Sequence, residues 1–161
     1  MMGKTLFIPL AATVCALAVI GGYPSLARSA DDLRLAPDLS FTDDSSSNFP
    51  IAGNDLAKGK VASDRATIVF FGTAHCWNTN REAERLVKLY PKYRGKIAFV
   101  VVDLDNVSDE QRPLVAKYYH GFIPTIAVLD SHGNLIYDRA GETASERADT
   151  SYLDKLIESA H

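Results

Sequence analysis

The chain is short of sulfur and of charge imbalance. Its 161 residues include two cysteines, two methionines and one tryptophan, and 17 basic residues against 20 acidic ones leave a net charge of −3. Acids and bases are interspersed, so there is no basic footprint for nucleic acid and no polybasic membrane patch. Internal repeats are absent. No His-x-x-x-His pattern and no cysteine close to Cys76 supply a ligand set, so neither a metal nor a cofactor is expected, even with His75, Cys76 and His120 as conceivable neighbours. What is present is ordinary globular material, 47% hydrophobic and 23% charged, enough for one core plus a short extra segment.

The N-terminus carries a targeting pattern. Lys4 supplies a small positive region, Leu6 to Ile20 form an almost uncharged apolar run, and Gly21, Gly22 and Pro24 interrupt it. Ser25-Leu26-Ala27 then offers the small-x-small pattern a signal peptidase reads. Residues 1–27 are accordingly read as a signal peptide and the remainder as extracytoplasmic, periplasmic or secreted; cleavage after Ala30 is a weaker option. The competing reading is an uncleaved anchor, because residues 6–22 are just long enough to tether the chain to a membrane. Under either reading Cys15 stays with the apolar run, and Cys76 has no intrachain partner. A lone thiol in an oxidising compartment points to reactivity or to an intermolecular disulfide.

Residues 28–50 are poor in large apolar side chains and contain Asp43-Asp44-Ser45-Ser46-Ser47-Asn48, which reads as a flexible linker. Residues 51–161 read as the folded domain. Asn54 to Lys60 suits a short helix. Thr67 to Phe71 is a continuous apolar and β-branched run, the pattern of a buried strand. From Cys76 to Tyr93, Ala83, Leu86, Val87, Leu89 and Tyr90 share one helical face, with Pro91 as a kink and Gly95 as the cap. Ile97 to Val102 is a second strand. Ser108 and Gln111 are spaced as a capping box for a helix to Tyr119, although Pro113 argues for a later start. Thr125 to Leu129 and Leu135 to Arg139 form a hairpin, and Thr150 to Ser159 a last helix burying Leu153, Leu156 and Ile157. The order implies α/β architecture, a central mixed β-sheet flanked by helices on both faces.

That order, with Cys76 opening the first long helix and Phe122-Ile123-Pro124-Thr125 preceding the hairpin, resembles the thioredoxin superfamily. Val101-Val102-Asp103-Leu104-Asp105 at a strand end and Gly133 followed by Gly141 add to the likeness, which covers Ile51 to Ser159. The resemblance implies a thioredoxin-like fold with Pro124 cis and lying against Cys76. It also exposes departures. The family's Trp-Cys-Gly-Pro-Cys is here His75-Cys76-Trp77-Asn78-Thr79, a degenerate Cys-x-x-Thr motif. Phe70 stands where the family often has a buried aspartate, and Val101 falls near the position of that aspartate's lysine partner.

A thiol at a helix N-terminus meets unpaired N–H groups and the positive end of the helix dipole, both of which favour the thiolate. His75 can add positive charge, and Thr79, one turn on, can offer its hydroxyl to the sulfur. Cys76, Thr79 and His75 are therefore the candidate catalytic residues; Trp77, Ile123, Pro124 and Thr125 are the candidate binding wall. One thiol permits mixed-disulfide formation and exchange with protein or small-molecule thiols, and excludes two-electron reduction of a disulfide by this chain alone. Two other functions stay open. One is a non-catalytic binding module that keeps the groove. The other is a thiol peroxidase, since Thr73-Ala74-His75-Cys76 matches the Thr-x-x-Cys of peroxiredoxins, with Val69 where their proline belongs.

Overall fold

The computed structural model describes residues 33–53, 59–140 and 150–160. In chain order these form β1 (Arg34–Leu35), β2 (Ile51–Ala52), β3 (Thr67–Gly72), α1 (Trp77–Tyr93), β4 (Ala98–Asp103), α2 (Arg112–Tyr118), β5 (Thr125–Leu129), β6 (Leu135–Ala140) and α3 (Thr150–Ser159). The leader with its residues 6–22, positions 54–58 of the helix expected from Asn54 to Lys60, and Gly141 lie outside the described residues.

Four strands make the main sheet in the order β4-β3-β5-β6. β3 runs parallel to β4 and antiparallel to β5, and β5 and β6 form an antiparallel hairpin. Strand side chains alternate between faces, and the core divides accordingly. Ile68, Phe70, Phe99, Val101, Ile126 and Val128 pack beneath α1 and α3. Val69, Phe71, Val100, Val102, Ala127 and Leu129 pack with Leu114 and Tyr118 of α2. Because both faces are covered, the strands read as unbroken apolar runs. Phe70 and Val101 thus face α1 as buried hydrocarbon.

The helices depart from the sequence reading in detail. α1 runs through Pro91 to Tyr93, and Gly95 beyond it takes a left-handed φ of 74°, a conformation that suits glycine at a helix C-terminus. α2 starts at Arg112, with Pro113 in its first turn. Gln111 does not close a capping box of ordinary length; its Nε2 donates to the Val101 carbonyl at 2.9 Å, on β4. In α3, Leu153 and Ile157 are buried while Leu156 is only half-buried.

One larger difference concerns the expected linker. Over its described part, residues 33–50, it is not a free tether but lies on the domain. Leu33 and Ile51 are core residues, β1 pairs antiparallel with β2, and Phe49 meets Phe70 edge to face at 6.4 Å. Its polar stretch packs on α1. The buried Asn80 Nδ2 donates to the Ser40 carbonyl at 2.6 Å and to the Ser46 hydroxyl at 2.8 Å, and Arg81 Nε donates to the Phe41 carbonyl at 3.0 Å. A segment with few apolar residues is held here by hydrogen bonds to a partly buried helix face, which its composition does not reveal.

Candidate functional site

The site grows out of the C-terminal end of β3. Gly72 closes the strand, and its carbonyl accepts the Leu104 N–H at 2.9 Å. The turn that follows is pinned from the same side, since Asp105 Oδ2 accepts the Ala74 N–H at 3.2 Å. Asp103 stiffens that neighbourhood by accepting from the Asp105 N–H and from Asn106 Nδ2. The chain then reaches Cys76, whose extended backbone (φ −143°, ψ 108°) makes it the N-cap of α1. Its carbonyl accepts the Asn80 N–H at 3.1 Å. Cys76 is half-buried and free.

An N-cap side chain normally accepts an N–H of the first helical turn. Cys76 Sγ makes no such bond. The Trp77 N–H instead donates at 3.0 Å to Asp44 Oδ1, a residue 33 positions earlier in the chain. The positive end of α1 is therefore met by a carboxylate supplied from residues 40–47, an arrangement the helix dipole favours.

The sequence-derived candidates are placed unequally. His75 is exposed beside Cys76. Trp77 is half-buried, with the Arg81 guanidinium 4.5 Å from its ring centroid. Thr79 does not take its assigned role. It is fully buried, its hydroxyl has no hydrogen-bond partner among the described residues, and its side chain turns inward against Gly72. A Cβ on Gly72 would sit 2.3 Å from Thr79 Cγ2, so the glycine is what allows the helix to seat.

The start of β5 lies at the same end of the sheet. Thr125 pairs with Phe71, so Ile123 and Pro124 stand at the same end of the sheet as the turn that delivers Cys76. The Ile123–Pro124 peptide is cis. The Thr125 hydroxyl, buried, donates to the Phe122 carbonyl at 2.5 Å, while the Phe122 ring is 62% exposed. Among the described residues no three His, Cys, Asp or Glu side chains gather as a metal site.

The sequence analysis missed Phe122 as an exposed apolar contact, Asp105 as the anchor of the turn, and Asp44 at the helix N-terminus. Phe122 was legible, since it adjoins Ile123-Pro124-Thr125. Asp44 carried no local signal.

No family model matches the sequence, and no curated protein matches it. Solved structures do. A thioredoxin-fold protein from Helicobacter pylori superposes with a TM-score of 0.50 at 18% identity, covering 64% of this chain and 76% of that one. The domain has the thioredoxin fold. Mitochondrial thioredoxin 3 of Saccharomyces cerevisiae (22% identity, 60% and 79% coverage, TM-score 0.45) and a Schistosoma mansoni thioredoxin (21%, 62% and 82%, TM-score 0.47) are also similar. Within this fold Cys76 caps α1, and Thr79 is buried one turn later.

Proposed function

We propose that this domain acts in extracytoplasmic thiol–disulfide chemistry through Cys76 alone, on protein or small-molecule disulfides. The observation that supports the reading is a free, half-exposed cysteine at the N-cap of α1, at the end of the sheet where β5 begins just after the exposed Phe122. The thiolate of Cys76 attacks one sulfur of a partner disulfide; a Cys76–partner disulfide forms and the other partner sulfur leaves as a thiolate. With Thr79 in place of a second thiol, release requires attack by an external thiolate or by the partner's own cysteine. No net electrons pass from the chain. Trp77, Ile123, Pro124 and Thr125 form the binding wall, and residues 1–27 direct export or, if retained, hold the domain at a membrane through residues 6–22.

Glutathione disulfide tests this. The expected result is one glutathionyl adduct on Cys76 with one glutathione released, reversal by dithiothreitol, and no adduct on Cys76→Ser. A wild-type chain that takes up no glutathionyl group at neutral pH would remove the chemistry and leave the second reading, a binding module. That reading draws support from the Asp44 carboxylate at the helix N-terminus. The intact mass of the exported protein tests export, because it reports the leader and any sulfur adduct together.

A further inference from the structure

Residues 40–47 form a strap across the first turn of α1, and its contacts converge on the helix end that bears the thiol. Asn80 anchors it through Ser40 and Ser46, Arg81 anchors it through Phe41, and Ser40 N–H donates to the buried Ser46 hydroxyl at 2.7 Å. The effect of these bonds is to hold Asp44 against the Trp77 N–H. That N–H belongs to the peptide that Cys76 itself begins.

We infer that Asp44 is a positioning residue that restrains Cys76, its carboxylate occupying the helix N–H donor and opposing the negative charge that the sulfur must carry to react. The inference rests on the reading of Cys76 as a nucleophile and names a control on it. The physical argument is competition. A thiolate at a helix N-terminus is stabilised by unpaired N–H groups and by the dipole; a carboxylate already there uses a donor and repels a second anion. The other charged or titratable groups on the elements that meet here are His75 on the turn, Arg81 on α1, Asp105, whose carboxylate accepts the Ala74 N–H, Asp103 at the end of β4, Asp43 on the strap and His120 ahead of Pro124. Asp43 differs from Asp44 in orientation, because its carboxylate accepts the Ser45 N–H within the strap. It supplies a control that removes the same charge one residue away.

Iodoacetamide is the probe: the sulfur–carbon bond forms from the thiolate and iodide leaves, so rate against pH reports the anionic fraction. In Asp44→Asn the acceptor oxygen persists without its charge. The midpoint of the rate–pH profile should move down and the rate near pH 7 should rise about threefold, the scale of one unit charge acting across a few ångströms of water-like medium. Asp44→Ser, a good capping residue, should behave alike. Asp43→Asn should give less than half that change, and the difference between wild type and Asp44→Asn should shrink as salt rises toward 1 M. Equal responses to Asp43→Asn and Asp44→Asn, or an unmoved profile in both Asp44 variants, would overturn the inference. The two readings separate cleanly. An Asp44 effect on alkylation without any glutathionyl adduct leaves the restraint and removes the exchange chemistry; an adduct with no Asp44 effect does the reverse.

Discussion

The two ends of α1 are both fastened by residues far away in the chain, yet by opposite means. At the C-terminal end Lys92 Nζ reaches Asp154 at 2.7 Å and Glu158 at 2.6 Å, and the Tyr93 hydroxyl bonds the Asp154 carboxylate. A cation thus sits where the helix dipole is negative, and it is matched by two acids from α3. The other end receives one exposed carboxylate, and Cys76 Sγ beside it makes no capping bond. Charges at the closed end attract one another across α1 and α3. At the open end the Asp44 carboxylate accepts the N–H of Trp77, the residue that follows Cys76. A helix can thus be fastened by side-chain ion pairs at one end and by a single distant carboxylate at the other, with a buried ion pair in the middle.

That middle holds the sharpest test. Glu82 and Arg85 are buried and paired at 2.6 Å. Glu82→Ala would break this buried ion pair and should cost about 3–5 kcal/mol, read by urea denaturation; a change below 1 kcal/mol would mean that the two ends carry the helix without it. Thr79→Val comes next. It removes a buried hydroxyl that has no partner among the described residues and keeps the shape, so stability should rise by about 1 kcal/mol, with the Cys76 alkylation profile unchanged. A changed profile would return Thr79 to the sulfur's surroundings.

The smallest effect is a pH dependence confined to the closed end. Hydrogen bonds from Lys92, then Tyr93, hold the Asp154 carboxyl below its usual range. A depressed folded-state value means that this contribution is present above the unfolded value near 4 and fades as pH falls through the folded one. Tyr93 is pushed up from 10 to about 12, chiefly by burial and then by its bond to Asp154. Its contribution is complete below pH 10 and is lost as pH rises from 10 toward 12. Lys92→Met should flatten the acid limb with little change in stability at neutral pH, since the lysine is exposed. An acid limb that persists in Lys92→Met would place the sensitivity elsewhere.

How much of this could be read in the sequence depends on how local the cause is. β3, β4 and β5 were legible because burial on both faces leaves unbroken apolar runs, and α1 because its apolar face repeats at helical spacing. Ile123-Pro124-Thr125 marked the start of β5. Thr79 was misjudged because sequence spacing places it one turn from the sulfur, whereas its direction into the sheet is settled by the missing side chain at Gly72. Residues 33–50 were misjudged because their hold on the domain is polar and spans up to 40 positions, as between Ser40 and Asn80. Serines and aspartates in such a stretch look the same whether solvated or bonded to a distant helix.

The close approach of Gly72 and Thr79 has a further consequence. These two positions share the room of a single side chain, so volume added at one has to be surrendered at the other. Enlarging residue 72 would lever the helix away from the strand, and the sulfur would travel with it. The location of the Cys76 sulfur is thereby written into a fit between two buried residues.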